Sequence, residues 1–297
     1  MNFPVTNNTQ QYRSNTRRRR TRRKKHRSTA SILLITILIA AICVAGVFAA
    51  IYFSGLRYIR INTDTGGFIK FFGWTSEDGS PLKGKIYLSD GGTADVDMEI
   101  GSVVYSNGDI YEGELKNLLK HGIGILKFKV GNIYSGNFID DKITGSGHFI
   151  YSNGDEYEGP LVDGKREGDN GVYTWAEHSM YIGPFRDDMK HGKNGRYIWP
   201  DGSSYEGDYE NDMKHGTGTY KFANGDVYTG DFQNDIRTGR GTYSWANGES
   251  YTGEFKNNKM NGWGVYSWPS GRSLEGLFED GQYMRTEPEP GTGMIQP

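Results

Sequence analysis

The chain has 297 residues, enough for one or two domains, and its 43 glycines and 20 tyrosines suit short strands and tight turns better than a helical core. The net charge of −2 conceals a strong polarity: residues 1–56 hold ten Lys or Arg and no acid, whereas residues 57–297 hold 24 bases against 36 acids. The lone cysteine, Cys43, excludes an internal disulfide. It sits in an apolar run after Ile42, where a lipoprotein cleavage site would want a small residue, so it reads as a small hydrophobe.

Residues 1–30 predict a disordered, basic cytoplasmic tail. Within it lies the cluster Arg17, Arg18, Arg19, Arg20, Arg22, Arg23, Lys24, Lys25 and Arg27. Residues 31–55 come next with "SILLITILIAAICVAGVFAAIYF", an uncharged run whose length at about 1.5 Å per residue covers a bilayer core. It is longer than the apolar part of a cleaved signal peptide and lacks a clear cleavage site, so an uncleaved single-pass signal-anchor is expected. Dense positive charge beside a first membrane helix keeps that flank cytoplasmic. The cluster therefore reads as a topology determinant that also grips lipid headgroups, and nucleic-acid binding is set aside. The localisation this implies is a membrane, the plasma membrane in the first place, with the domain after residue 55 on the extracytoplasmic side.

Residues 56–70 read as a linker or first strand, and self-similarity governs the remainder of the chain. Units opening at Tyr111, Tyr134, Tyr157, Tyr181, Tyr205, Tyr228 and Tyr251 recur every 23 or 24 residues. Each runs Tyr-x-Gly-x-aromatic, a polar stretch, Gly-x-Gly-x-aromatic-x-aromatic, then Asn-Gly or Asp-Gly. Residues 71–110 hold two degenerate copies, residues 274–283 a capping half-repeat, and residues 284–297 a loose, disordered tail.

With the opening tyrosine as position 0, aromatics at 0, 4, 15 and 17 and glycines at 2 and 13 share one sheet face, because side chains alternate along a strand. Pairing 0 with 17, 2 with 15 and 4 with 13 sets each glycine opposite a ring, which can then lie over the bare backbone. Across the next turn the same register pairs Trp199 with Tyr205, Tyr197 with Gly207 and Gly195 with Tyr209. It requires a three- or five-residue loop with positive φ at Gly202 and its equivalents. The extra residue of "EGDNG" and "HGKNG" is placed in the longer, intra-repeat loop. Pro160, Pro184 and "AEHSM", which lacks the turn glycine, are expected to soften the sheet locally.

"YEGDYENDMKHGTGTYKFANGDV" and "YTGEFKNNKMNGWGVYSWPSGRS" resemble MORN repeats, hairpin modules of 23 residues. The resemblance covers residues 111–273 well. It implies an all-β fold, an elongated single-sheet antiparallel meander, here preceded by one transmembrane α-helix. It also implies membrane proximity, lipid binding and self-association. Some members append a kinase or methyltransferase domain, but only a short tail comes after residue 283.

Stretches such as "YEGDYENDMKHGTG" gather acids beside a histidine. However, His121, His191 and His215 fall in one column, about 10 Å apart at two strands per repeat, too far to share a zinc ion. No nucleophile elbow or phosphate loop is present. No catalytic residue, metal or cofactor is therefore expected. The function this implies is a non-enzymatic membrane-anchored scaffold or protein-binding module, with an unknown protein or a second copy as partner. Lipid binding by the repeats comes second, since 36 acids against 24 bases oppose an anionic surface. An uncharacterised enzyme is a distant third. The candidate interaction face is Tyr181, Phe185, Tyr197, Trp199, Tyr205, Tyr209, Tyr220, Phe222, Tyr228, Phe232, Tyr243, Trp245, Tyr251, Phe255, Tyr266 and Trp268.

Overall fold

The computed structural model describes residues 29–63 and 67–286. The basic cluster from Arg17 to Arg27 and the tail beyond residue 286 lie outside the described residues. The chain divides into two units, Met1–Phe53 and Ser54–Pro297.

In the first unit, Thr29–Phe53 is one α-helix. It is apolar all round, with side chains such as Leu34 and Phe48 exposed. Its length and composition suffice to cross a membrane. The Thr36 hydroxyl, the polar group in its middle turns, donates to the Leu33 carbonyl at 2.8 Å, so it makes no demand on its surroundings.

The second unit is a single antiparallel sheet of 23 strands. It begins at Leu56–Asn62, which pairs with Phe68–Thr75, and ends at Gln282–Arg285. Strands pair with their neighbours in the chain, which is a meander. The degenerate copies and the terminal half-repeat continue it without a break.

Each repeat is two strands and two turns, one within the hairpin and one leading to the next. The first turn is two residues long: Asn211 and Asp212 sit at φ 49° and 68° between the paired residues Glu210 and Met213. Two successive positive φ values define the type I′ turn that matches strand twist, and Asn and Asp tolerate it. The second turn has the odd loop expected. Ile198 pairs with Ser204, Trp199 N–H donates to Ser203 O at 3.0 Å, and Gly202 supplies φ 85°. In the repeat without the glycine, His178 takes φ 75° and its N–H still reaches Trp175 O at 2.8 Å. The turn keeps its geometry there.

The register differs from the expected one by two residues. Tyr205 faces Tyr220 and Gly207 faces Gly218, so position 0 meets 15 and 2 meets 13. Likewise Tyr197 faces Tyr205 and Gly195 faces Gly207. The cause is the tight first turn, which starts the return strand at Met213, together with a bulge around Gly216 at φ 60°. At 120–122 and 214–216 the "KHG" stretch is therefore strand, not loop, and at 190–192 only His191 falls outside the strands. In the 24-residue repeats the additional residue widens that bulge, between Gly168 and Gly171 and between Gly192 and Gly195. Both repeats carry proline at position 3, Pro160 and Pro184, opposite the widened bulge. In regular repeats that position binds the bulge: Glu114 and Asp231 carboxylates accept from Ile123 N–H and Arg240 N–H. The two departures from the repeat pattern are one structural change.

Candidate interaction surface

All sixteen aromatic residues of the candidate face lie on one side of the sheet, but they form two ladders with different surroundings. Positions 0 and 4 make the inner ladder. Tyr181, Tyr205, Tyr228 and Tyr251 are fully buried, and Phe185, Tyr209, Phe232 and Phe255 nearly so. Tyr205 meets Phe232, Phe232 meets Tyr228, and Tyr228 meets Phe255, each edge to face at 4.9–5.2 Å. That geometry favours the ring quadrupoles. These eight side chains are interior, so they offer no surface to a partner.

The register explains the burial. The Tyr205 ring runs along its own strand over Gly207 and the facing Gly218. A Cβ at Gly207 would lie 2.5 Å from both Gly218 Cα and the Tyr205 hydroxyl. The ring thus covers glycine diagonally, not directly opposite as the expected register had it. Its hydroxyl then reaches the carbonyl at position 3: Tyr205 donates to Asp208 O at 3.0 Å and Tyr181 to Pro184 O at 3.0 Å. The other five repeats make the same bond. This is why the column is tyrosine and not phenylalanine.

Positions 15 and 17 make the outer ladder, all half-buried: Tyr197, Trp199, Tyr220, Phe222, Tyr243, Trp245, Tyr266 and Trp268. The rings stack in an unbroken tilted series, with centroids 4.4 Å apart between Tyr197 and Trp199 and 5.3 Å between Trp199 and Tyr220. The series extends back through Trp175 and Tyr173 to Phe128.

Between the ladders lies a row of cations at position 9, which sequence reasoning did not single out. Lys190 Nζ is 5.3 Å from the Tyr197 ring and 5.6 Å from that of Tyr209. Lys214 sits over Trp199, Tyr205 and Tyr220, and Arg237 over Phe222, Tyr228 and Tyr243. Ring faces attract cations by about 0.5–2 kcal/mol, more when water is excluded. Burial lowers the Lys190 ammonium from its ordinary value against the pull of Asp212. Each cation is tied to the next repeat's turn: Lys214 Nζ to Asp235 at 2.8 Å, with Lys214 N–H on the same carboxylate at 3.0 Å and Asp235 N–H on Lys214 O at 2.9 Å. The recurring "DD" and "ND" pairs are therefore staples between repeats as well as turn formers. The only signal for this in the sequence was the recurrence of Lys or Arg nine residues after the tyrosine.

A second row of carboxylates closes the other edge. Asp226 accepts from Tyr243 OH at 2.6 Å and from Ala246 N–H at 2.9 Å, and Glu249 accepts from Tyr266 OH at 2.7 Å. The Tyr243 hydroxyl, then the Ala246 amide, hold Asp226 below the usual carboxylate range. Burial first, then this carboxylate, pushes the Tyr243 phenol up to about 12. The histidine column stays dispersed: His121 Nδ1 is 3.4 Å from Asp140 and His215 Nδ1 is 3.5 Å from Glu210. Among the described residues no group of three or more His, Cys, Asp or Glu is placed to hold a metal ion.

A single sheet built from tandem hairpins, with one ring-and-glycine face, is a β-repeat protein stabilised by neighbour-to-neighbour contacts. The MORN repeat profile matches it seven times in succession, at residues 111–133, 134–156, 157–180, 181–204, 205–227, 228–250 and 251–271, more than half of the chain. The chain belongs to the MORN repeat family. No curated protein sequence matches it significantly. Among solved structures it is similar to the TCP domain of Drosophila melanogaster SAS-4 in complex with a proline-rich motif of Ana2. The identity is 12%, 66% of this chain and 90% of that one are covered, and the TM-score is 0.26. It is also similar to a mutant TCP10 domain of Danio rerio CPAP, at 11% identity, 74% and 99% coverage and a TM-score of 0.25. At such scores the likeness carries no argument about this chain's partners.

Proposed function

We propose that the chain is a non-enzymatic scaffold anchored in the plasma membrane by a single pass of Thr29–Phe53. Its basic amino-terminal flank lies in the cytoplasm, and its repeat sheet outside docks a protein partner or a second copy. The observation that carries this reading is the outer ladder, an unbroken series of rings from Phe128 to Trp268 that are partly exposed except at the buried Tyr173. A contiguous apolar stripe of this length on a soluble surface marks an interaction site. The inner ladder and its roof of cations hold the sheet, which leaves the outer ladder free to bind.

The test is photo-cross-linking of the full chain in its membrane. Benzoylphenylalanine in place of Tyr220, on the ladder, should give a protein adduct, whereas in place of Thr219, on the opposite face, it should give none. No adduct at either position, or equal adducts at both, would overturn the reading.

One observation favours a second reading, contact with lipid headgroups. Only Ser54 and Gly55 separate the helix from the first strand. The outward side of the first strands exposes Tyr58, Phe72 and Trp74 at 63%, 46% and 52%, beside Lys83 and Lys85, which pair with Asp97 and Asp95. Aromatic and lysine side chains together suit a membrane interface. In reconstituted vesicles, brominated lipids should then quench wild-type fluorescence more than that of Trp74→Phe. Equal quenching would remove this reading.

A further inference from the structure

We infer that the occupant of the outer ladder is a proline-rich segment in the polyproline II conformation, running across the strands along the rings. This rests on the docking role proposed above and names the chemistry of the partner.

The spacing of the rings selects this backbone. Each repeat contributes two strands and two rings, so the ladder advances about 9.6 Å per repeat at about 4.8 Å per strand. A polyproline II helix has three residues per turn and rises about 3.1 Å per residue, so every third residue returns to the same side after about 9.3 Å. The two periods differ by about 0.3 Å, and over four repeats the accumulated offset is about 1 Å. An extended strand repeats every 6.6–6.8 Å or so, and an α-helix every 5.4 Å or so, and neither keeps step with the ladder.

Hydrogen bonding points the same way. Among the described residues, the indole N–H groups of Trp175, Trp199, Trp245 and Trp268 have no hydrogen-bond partner, and none is sealed from solvent. By contrast, Trp263 on the other face donates to Glu275. The ladder therefore presents one unused donor in four of its repeats. Polyproline II is the regular backbone whose carbonyls make no internal hydrogen bonds, and a proline-rich chain supplies acceptors without donors. Donor and acceptor sets are complementary.

Ring geometry narrows the choice further. Neighbouring rings of the ladder lie at 40–54° to each other with centroids 4.4–5.3 Å apart from Trp175 through Trp199 to Tyr220 and from Tyr243 through Trp245 to Tyr266 and Trp268. Their faces are occupied by one another, which disfavours the flat stacking a polysaccharide needs. What remains for a partner is the uncovered part of each tilted ring, and tilted aromatic side chains line the grooves that receive pyrrolidine rings.

The experiment is a titration of the full chain in detergent, monitored by tryptophan fluorescence, with a nonapeptide of proline and with a glycine–serine nonapeptide as control. Saturable binding of the proline peptide alone is expected. Trp199→Phe keeps the ring and removes the N–H, and together with Trp245→Phe it should weaken binding by about tenfold, the equivalent of one good hydrogen bond. A nonapeptide with proline at every third position should bind more tightly than one with the same residues shuffled. Absence of saturation overturns the inference, as does indifference to both the tryptophan replacements and the proline spacing. Circular dichroism of each variant separates loss of fold from loss of binding. Should the Tyr220 cross-linker yield an adduct while proline peptides fail to bind, the docking role stands and the assigned partner falls.

Discussion

The inner and outer ladders are built from the same residue types, two rings per repeat on the same face of the sheet but from alternate strands, yet one is sealed and the other only partly covered. The difference lies in what surrounds each ring. Tyr205 has glycine beneath it on two strands, a carbonyl for its hydroxyl, and Lys214 above it. Tyr220 stacks only between Trp199 and Phe222, touches the same Lys214 from one side, and has no hydrogen-bond partner for its hydroxyl among the described residues. An aromatic column in a repeat is thus not a surface or a core by composition. The glycine column decides which it becomes, since the position-9 cation touches both ladders alike.

That comparison can be broken by mutation, and the largest effect belongs to the inner ladder. Tyr205→Ala should cost about 4 kcal/mol in urea unfolding, as for other buried large rings, and Tyr220→Ala less than half of that. Equal costs would erase the distinction. Gly207→Ala should cost about 2–3 kcal/mol, since its Cβ would drive the Tyr205 ring and the Gly218 backbone apart. A smaller effect sharpens the point: Tyr205→Phe should lose about 1 kcal/mol with its hydrogen bond to Asp208 O, while Tyr220→Phe should be near neutral. His178→Gly should stabilise by about 1 kcal/mol, because a side chain in the left-handed region is strained there and glycine is not.

Titration reports on the same two regions. Burial first of all pushes the phenols of Tyr228 and Tyr251 up to about 12. A phenol raised in the folded state contributes stability that is complete below its unfolded value near 10 and lost as pH rises through about 12. Alkaline unfolding between those limits is expected, tracked by the absorbance of the ionising phenols. At the acid end, Asp226 is depressed, so its contribution is present above the ordinary carboxylate range and disappears as pH falls through its folded value. Asp226→Asn should flatten the acid limb of the stability curve.

Much of this was legible in the sequence. The period, the shared face of positions 0, 2, 4, 13, 15 and 17, the odd loop and the turn glycine at 202 all derive from side-chain alternation and loop parity. The register was not, because it depends on a two-residue turn at Asn211 and Asp212 and a bulge at Gly216. Each alone shifts pairing by an amount no alternation rule sees. Nor was the division of the sixteen rings, since burial of Tyr205 requires a diagonal reach over Gly218 on the paired strand. The acids that look like chemistry in "YENDMKHG" are turn formers and staples because both functions need the same short carboxylate at a positive φ.

Tyrosine nitration of the native full chain, mapped by mass spectrometry, tests most directly whether one ladder is interior and the other surface. Tyr197 and Tyr220 should be modified while Tyr181, Tyr205, Tyr228 and Tyr251 are spared. Nitration of the second set at the rate of the first would contradict the division.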